Sequence, residues 1–451
     1  MTGCTVKELC AAVGGTLLRE SGAVVTQVST DSRSIPNRAL FVPLVGERFD
    51  GHDYLDAALE RGAAGCLTAK KPAALLKDKF YIQVSDTLEA LKALAAWYRA
   101  KFDIPMVQVT GSAGKTTTKE MIAAVLSQRF STLKTQANFN NAIGTPMTLL
   151  NLAPEHQAAV IETGMNHFGE IRYLGEMVRP TVAVITNVGD AHIENLGGTR
   201  QGILQAKCEI FENLQPGGLA VLNGDDELLS GLTLPFKTVL CGRHEHCGVR
   251  VTNVAEHGIE GVTCTVTTKR EVYEVAIPSP GAYMIYPAAM AIAIGEHLGL
   301  TKAELLSGIA AYRPVGSRMH LVRCGNDRII IDDCYNANPQ AMAEALRILA
   351  QTEHPRRMAV LGDMGELGDL TEQAHRDIGE LTRTLGLDTV VAVGPKAKAI
   401  QDANPDVLWF PTVAEALPAI RAAFTAGTAV LVKASHAMHF TDIVKDLEST
   451  E

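Results

Sequence analysis

The sequence predicts an α/β protein of three domains: a small α/β domain first, a central domain built on a phosphate-binding loop (P-loop) and a mostly parallel sheet, and a Rossmann-like domain last. Three observations carry that prediction. Between Ile104 and Phe130, a short apolar run, a glycine turn, a lysine and an amphipathic helix follow one another. Apolar runs of strand length at 158–161, 182–185, 219–222 and 239–240 alternate with helical segments, the pattern of a parallel sheet covered by helices. A second such alternation, at 329–331, 359–361, 390–393, 407–410 and 429–432, follows the linker Arg313-Pro314-Val315-Gly316-Ser317.

Taken in order, residues 1–84 form the first domain, with a helix at 5–13 and strands at 24–28 and 39–45. Ser29-Thr30-Asp31-Ser32-Arg33 between them reads as a capped polar turn whose arginine is able to hold an anion. Residues 85–103 are the connector, an amphipathic helix that stops before Ile104-Pro105. The central domain spans 104–312. Its stretch 249–277 alternates polar and apolar residues with turn signals at His257-Gly258 and Lys269-Arg270, so antiparallel strands are expected there. An apolar helix at 288–298 closes it, and the third domain takes 313–451.

Composition narrows the function classes. The net charge is −9, from 41 basic and 50 acidic residues, which argues against a nucleic-acid surface. No apolar run approaches the ~20 residues of a membrane-spanning helix. No secretory core follows Met1, and the nine scattered cysteines read as reduced thiols, so a cytoplasmic protein without membrane insertion is expected, and as a monomer. Cys241 and Cys247, with His244 and His246 between them, lack a usual zinc spacing and read as a polar loop.

The chemistry concentrates on the glycine turn. Gly111-Ser112-Ala113-Gly114-Lys115-Thr116-Thr117 has the shortened Gly-x-x-Gly-Lys-Thr form, Val109 standing where the longer pattern has its first glycine. Glycines let backbone N–H groups approach an anion, and the helix N-terminus adds partial positive charge. Lys115 is able to reach the outer phosphates and the Thr116 hydroxyl to ligate magnesium, so a nucleoside triphosphate is the expected ligand. Ligands of open α/β sheets bind at the carboxyl ends of the strands, and there the sequence places Glu162, Asn187, Asp190 and His192. Thr116, Glu162 and His192 together suit magnesium over triphosphate oxygens. A guanine-nucleotide switch is a weak reading, because Asn187-Val188-Gly189-Asp190 has valine where the base-reading motif needs lysine.

With these residues the chain resembles the Mur ligases, ATP-dependent amide-bond ligases of peptidoglycan precursor synthesis. The phosphate loop resembles that family's shortened loop. Ala206-Lys207-Cys208-Glu209-Ile210-Phe211 resembles the segment carrying its carbamylated lysine. Arg318 and Asp332-Asp333-Cys334-Tyr335-Asn336-Ala337-Asn338-Pro339 resemble the motifs opening its third domain. Four further stretches are similar to the branch that adds D-alanyl-D-alanine to UDP-N-acetylmuramoyl-tripeptide. They are Asp31-Ser32-Arg33 with 40–52, 138–146, Asn166-His167-Phe168-Gly169-Glu170-Ile171, and 361–368.

The resemblance implies the three-domain Mur ligase architecture and a role for each domain. Thr30, Asp31, Ser32 and Arg33, with Asn138 and Asn140, would hold the UDP substrate. The loop 111–117 with Asp333, Asn336 and Asn338 would hold ATP. Thr116, Glu162, His192 and an N-carboxylated Lys207 would hold two magnesium ions, and Lys115, Lys207, His192 and Arg318 would serve catalysis. ATP would activate the tripeptide carboxylate as an acyl phosphate, which the amine of D-Ala-D-Ala attacks. The chain departs from the family at Tyr283-Met284 and Pro287, where adenine-reading residues are common, and at Lys433-Ala434-Ser435-His436, where arginine often ends the motif. A related Mur-type ligase or a folylpolyglutamate synthase-like enzyme with a different substrate is the alternative.

Overall fold

The computed structural model describes the chain except at Ala73, Ala191, His192, Glu366, Thr450 and Glu451. It divides into two compact units. One contains Met1–Cys241 with Ala293–Leu300; the other contains Gly242–Ile292 with Thr301–Glu451.

The first unit opens with a five-stranded sheet of β1 (Thr16–Arg19), β2 (Val28–Ser29), β3 (Leu40–Phe41), β4 (Gly65–Thr68) and β5 (Phe80–Gln83), in the order β1-β5-β4-β3-β2. These strands are shorter than the sequence pattern suggests. The apolar run 24–28 is divided between Val24–Val25, which pairs with Cys4–Thr5, and β2. The run 39–45 keeps only Leu40–Phe41 as strand; two residues on stands Pro43, which has no N–H to give a ladder. Helix α1 (Thr87–Arg99) follows, capped by Asp86, whose Oδ1 accepts from Leu88 N at 2.7 Å and Glu89 N at 3.0 Å. Its buried residues Ala90, Leu91, Leu94, Ala95 and Tyr98 recur at helical spacing. They share one core with Leu9 and Leu40 on one side and Met106, Leu149 and Ile161 on the other. The connector is thereby fixed to both neighbours, and the Tyr98 hydroxyl donates to Leu152 O at 2.8 Å.

The sheet that positions the site consists of β6 (Met106–Thr110), β7 (Thr132–Lys134), β8 (Ala158–Glu162), β9 (Val182–Ile185), β10 (Leu219–Asn223) and β11 (Lys237–Gly242). All pairings among them are parallel, in the order β11-β10-β9-β6-β8-β7. Strands β6, β8, β9 and β10 are buried along their whole length, as helix-covered parallel strands must be. Helices α2 (Lys115–Leu126), α3 (Gly144–Leu149), α4 (Glu170–Val178) and α5 (Arg200–Cys208) connect them. β6 lies between β8 and β9, so the chain order reverses at β6, and the loop after it stands at that reversal.

In the second unit, β12 (Val249–Glu256), β13 (Val262–Thr267) and β14 (Val272–Ile277) form the expected antiparallel meander. The third-domain sheet has the order β15-β16-β20-β17-β18-β19, with β15 (His320–Cys324), β16 (Arg328–Asp332), β17 (Arg356–Gly362), β18 (Thr389–Val393), β19 (Leu408–Phe410) and β20 (Thr428–Lys433). It is parallel except for the β15–β16 hairpin, whose turn puts Asn326 and Asp327 at positive φ. Among the described residues no helix is long and apolar enough to cross a membrane.

Candidate active site

The loop after β6 needs its glycines. Gly111 has φ +155°, and a Cβ there would lie 1.8 Å from Thr186 Oγ1. Gly114, at φ +75°, is the left-handed residue from which α2 begins. The Lys115 ammonium folds back over the loop, donating to Gly111 O at 2.8 Å and to Ser112 O at 3.4 Å. The end of β9 grips the loop from the side. Ser112 N donates to Asn187 O at 3.1 Å and Ala113 N to Asn187 Oδ1 at 2.9 Å. Thr186 Oγ1 and Asn187 Nδ2 both donate to Ala113 O, at 2.6 and 3.2 Å.

Thr116 and Glu162, predicted at neighbouring strand ends, do meet. Thr116 Oγ1 donates to Glu162 Oε2 at 2.9 Å, and both residues are buried. Asn140 Nδ2 donates to Glu162 Oε1 at 2.9 Å, so a residue expected at the nucleotide sugar also touches this carboxylate. Lys119, which the sequence reading passed over, sits 3.7 Å from Glu162 Oε2. A hydroxyl and an aligned carboxylate at a phosphate loop are oxygen donors that fit magnesium, which completes its shell with water and phosphate. Among the described residues no group of three His, Cys, Asp or Glu forms a complete protein cage for a metal ion. His192 lies outside the described residues.

Lys207 lies in the last turn of α5 with 2% of its surface exposed. Burial, helped by the Lys115 charge, lowers its pKa to about 6. Among the described residues it has no ion-pair partner, which is rare for a buried lysine. Glu209, two residues on, accepts from Gly169 N at 2.7 Å and Arg172 N at 3.1 Å, so its carboxylate caps α4 just after Asn166-His167-Phe168. His167 itself is exposed, with Nδ1 3.3 Å from Glu170 Oε1. Glu209→Ala is expected to cost about 1–2 kcal/mol by stranding two amides at a helix start. A thermal melt of the full chain should fall by a few degrees.

The first-domain turn is held internally. The Arg33 guanidinium forks onto Asp31, with Nε–Oδ1 and Nη2–Oδ2 both 2.9 Å, which lowers the Asp31 pKa to about 2. Arg61 Nη1 donates to Ser32 O at 2.8 Å. Thr30 is half-buried beside them, while Asn138 is exposed.

In the second unit the motif opening the third domain is equally ordered. Lys433 Nζ reaches Asp333 Oδ2 at 2.5 Å and Asn336 O at 3.0 Å. Burial raises the Asp333 pKa, with Lys433 pulling it down. Arg318 lies over the Tyr335 ring at 3.9 Å, and Tyr335 is 5.6 Å from the His436 ring. Asn338 caps the helix Pro339–Ala350 through Ala341 N at 2.8 Å, so its side chain is occupied at the backbone, and Asn336 Oδ1 accepts from Ala337 N at 2.9 Å.

Three family models match this chain: "Mur ligase family, catalytic domain" over 24–99, "Mur ligase middle domain" over 109–295 and "Mur ligase, glutamate ligase domain" over 317–436. The chain is 35% identical to the UDP-N-acetylmuramoyl-tripeptide–D-alanyl-D-alanine ligase of Bacillus subtilis (strain 168), over 98% of each chain. It is 37% identical to the protein of that name from Escherichia coli (strain K12), over 90% of this chain and 89% of the other. A crystal structure of MurF from Acinetobacter baumannii superposes with a TM-score of 0.91 at 32% identity, covering all of both chains. The MurF ligase of Thermotoga maritima in complex with ADP does so with 0.82 at 27% identity, over 94% of this chain and 97% of that one.

Proposed function

The chain belongs to the Mur ligase family, and from that premise we propose that it joins D-alanyl-D-alanine to the C-terminal carboxylate of UDP-N-acetylmuramoyl-tripeptide at the expense of ATP. The observation that carries this is the match over 98% of both chains to a relative named for that reaction. The names of the relatives favour it over a folate-type glutamate ligase.

The reaction has two displacements. The tripeptide carboxylate oxygen forms a bond to the γ-phosphorus, the bridging bond to ADP breaks, and an acyl phosphate results. The amine of D-Ala-D-Ala then bonds to the acyl carbon, loses a proton, and phosphate departs. Both steps crowd anions, so the residues that matter are those that neutralise charge. Lys115 turns from the carbonyls of Gly111 and Ser112 to the outer phosphates, which lie over the α2 N-terminus. Thr116 and Glu162 are the residues that would hold a magnesium ion, with His192 and Lys207 holding a second. The metal supplies further neutralisation of the phosphate oxygens.

Lys207 suits this role only as a carbamate. An ammonium repels a metal ion, whereas CO₂ added to a neutral amine, with release of one proton, yields a carbamate whose two oxygens share a negative charge. A buried amine with its pKa brought to about 6 is mostly neutral at physiological pH and open to that addition. We assign Arg318 to the transferred phosphate, and Asp333, Asn336 and Asn338 to ATP. Thr30, Asp31, Ser32, Arg33, Asn138 and Asn140 are assigned to the UDP substrate, and Asn140 to aligning Glu162 as well. The reaction draws on ATP and a soluble nucleotide-sugar, which supports a cytoplasmic setting.

The test is phosphate release from ATP with UDP-N-acetylmuramoyl-tripeptide. Release should depend on D-Ala-D-Ala. Release driven by another amine would keep the ligase class and discard this acceptor; no stimulation by any amine would reject the proposal.

A further inference from the structure

We propose that Lys119 is a positioning residue that keeps the metal site weak until nucleotide arrives, so that magnesium loads together with the triphosphate. The proposal rests on the reading of Glu162 as a metal-holding carboxylate. Lys119 follows Thr116 by three residues on α2, and residues so spaced share a helix face. Both point at the same oxygen, Thr116 Oγ1 at 2.9 Å and Lys119 Nζ at 3.7 Å from Glu162 Oε2. With 1% exposure the ammonium cannot reach solvent. It is fixed by Thr135 O at 2.6 Å and Glu120 Oε1 at 3.2 Å. Thr135 Oγ1 in turn accepts from Glu162 N at 3.0 Å, so the cation and the carboxylate are locked to one backbone segment.

Among the described residues, the ion-paired charges around Glu162 balance without a metal: Lys119 and Lys134 face Glu120 and Glu162, two cations against two carboxylates. A divalent ion brought to Glu162 alone enters a neutral cluster with a fixed cation just behind its ligand, where low dielectric strengthens the repulsion. A triphosphate arriving on the α2 N-terminus reverses that balance. The buried lysine thus couples the two binding events, and an enzyme so built holds little metal at rest.

Mn²⁺ followed by electron paramagnetic resonance is the probe, measured on the full chain with and without a non-hydrolysable ATP analogue. Lys119→Gln keeps a donor for Thr135 O and removes the charge. It should bind Mn²⁺ alone on the order of tenfold more tightly than wild type, the range over which groups behind a ligand tune metal affinity. With the analogue present, the change should be much smaller. Lys119→Arg, which keeps the charge, should behave as wild type. Lys119→Gln binding Mn²⁺ no more tightly than wild type, while Glu162→Gln weakens binding, would overturn the role of Lys119 and leave Glu162 standing. Glu162→Gln without effect would overturn both. A further arm uses no variant: wild type must bind Mn²⁺ far more tightly with the analogue than without, and equal affinities would reject the coupling.

Discussion

Lys207→Ala is expected to lower D-Ala-D-Ala-dependent phosphate release by about 10²–10³-fold, the scale of losing one fixed charge-stabilising group at a reacting phosphate. Short carboxylic acids such as formate should restore part of the rate if the lost group is a carbamate, because they refill the vacated space with an anion. The pH dependence follows from the pKa of about 6. As pH falls through that value the amine takes up a proton, cannot add CO₂, and activity should drop on the acid side. Stability moves in the same direction. The unfolded chain keeps this lysine protonated up to its ordinary value of 10.5, so between about 6 and 10.5 the unfolded state binds more protons. This group's penalty is therefore full below pH 6 and fades as pH rises. Lys207→Met should raise the thermal midpoint at neutral pH while abolishing turnover, and it should flatten the pH dependence of stability. A variant that is both inactive and less stable would contradict the placement of an uncompensated amine in this core.

The second large effect is expected at Gly111. Alanine there would put Cβ 1.8 Å from Thr186 Oγ1, in a backbone conformation that side chains disfavour. Thr186 cannot simply turn away, since its hydroxyl is the 2.6 Å donor to Ala113 O. The loop must shift as a whole, and nucleotide binding should weaken by at least about 100-fold, some 3 kcal/mol, at the upper range for forced overpacking. Titration with a fluorescent ATP analogue measures this directly. Adding Thr186→Gly should recover part of the affinity by removing the obstacle, although it gives up the hydroxyl. If Gly111→Ala binds nucleotide as wild type does, the loop geometry described above is wrong.

These two residues show how unevenly the molecule could be read from its sequence. Strand, glycine turn and helix around Gly111 carry a local signature, because the φ angles and the anion site are set by consecutive residues. Glu162 was legible from its position at a strand end. The first-domain strands were legible only in part. The runs 24–28 and 39–45 marked Val28–Ser29 and Leu40–Phe41 but overstated their length, while Thr16–Arg19, Gly65–Thr68 and Phe80–Gln83 went unread; Phe80–Gln83 follows Lys77-Asp78-Lys79, a charged run that reads as loop. β15 escaped because only Leu321 and Val322 interrupt its polar residues. Within the site, the hidden contacts are those made across strands. Asn140 and Lys119 reach Glu162 from 22 and 43 residues away, a proximity that only the parallel order β7-β8-β6 and helix α2 create. Lys119 also looked like any polar helical residue, since burial is not a property of residue type.

The grip of Thr186 and Asn187 on the phosphate loop has a thermodynamic consequence. A free glycine-rich loop would lose about 1–2 kcal/mol of backbone freedom for each residue ordered on binding. Here that ordering is completed when β9 docks beside β6 during folding. Nucleotide association should therefore carry a small entropic penalty, and calorimetry should find a heat capacity change set by buried surface alone, with no added contribution from loop ordering. Part of the affinity for a triphosphate is in this sense stored in a strand end 74 residues along the chain from the loop it steadies.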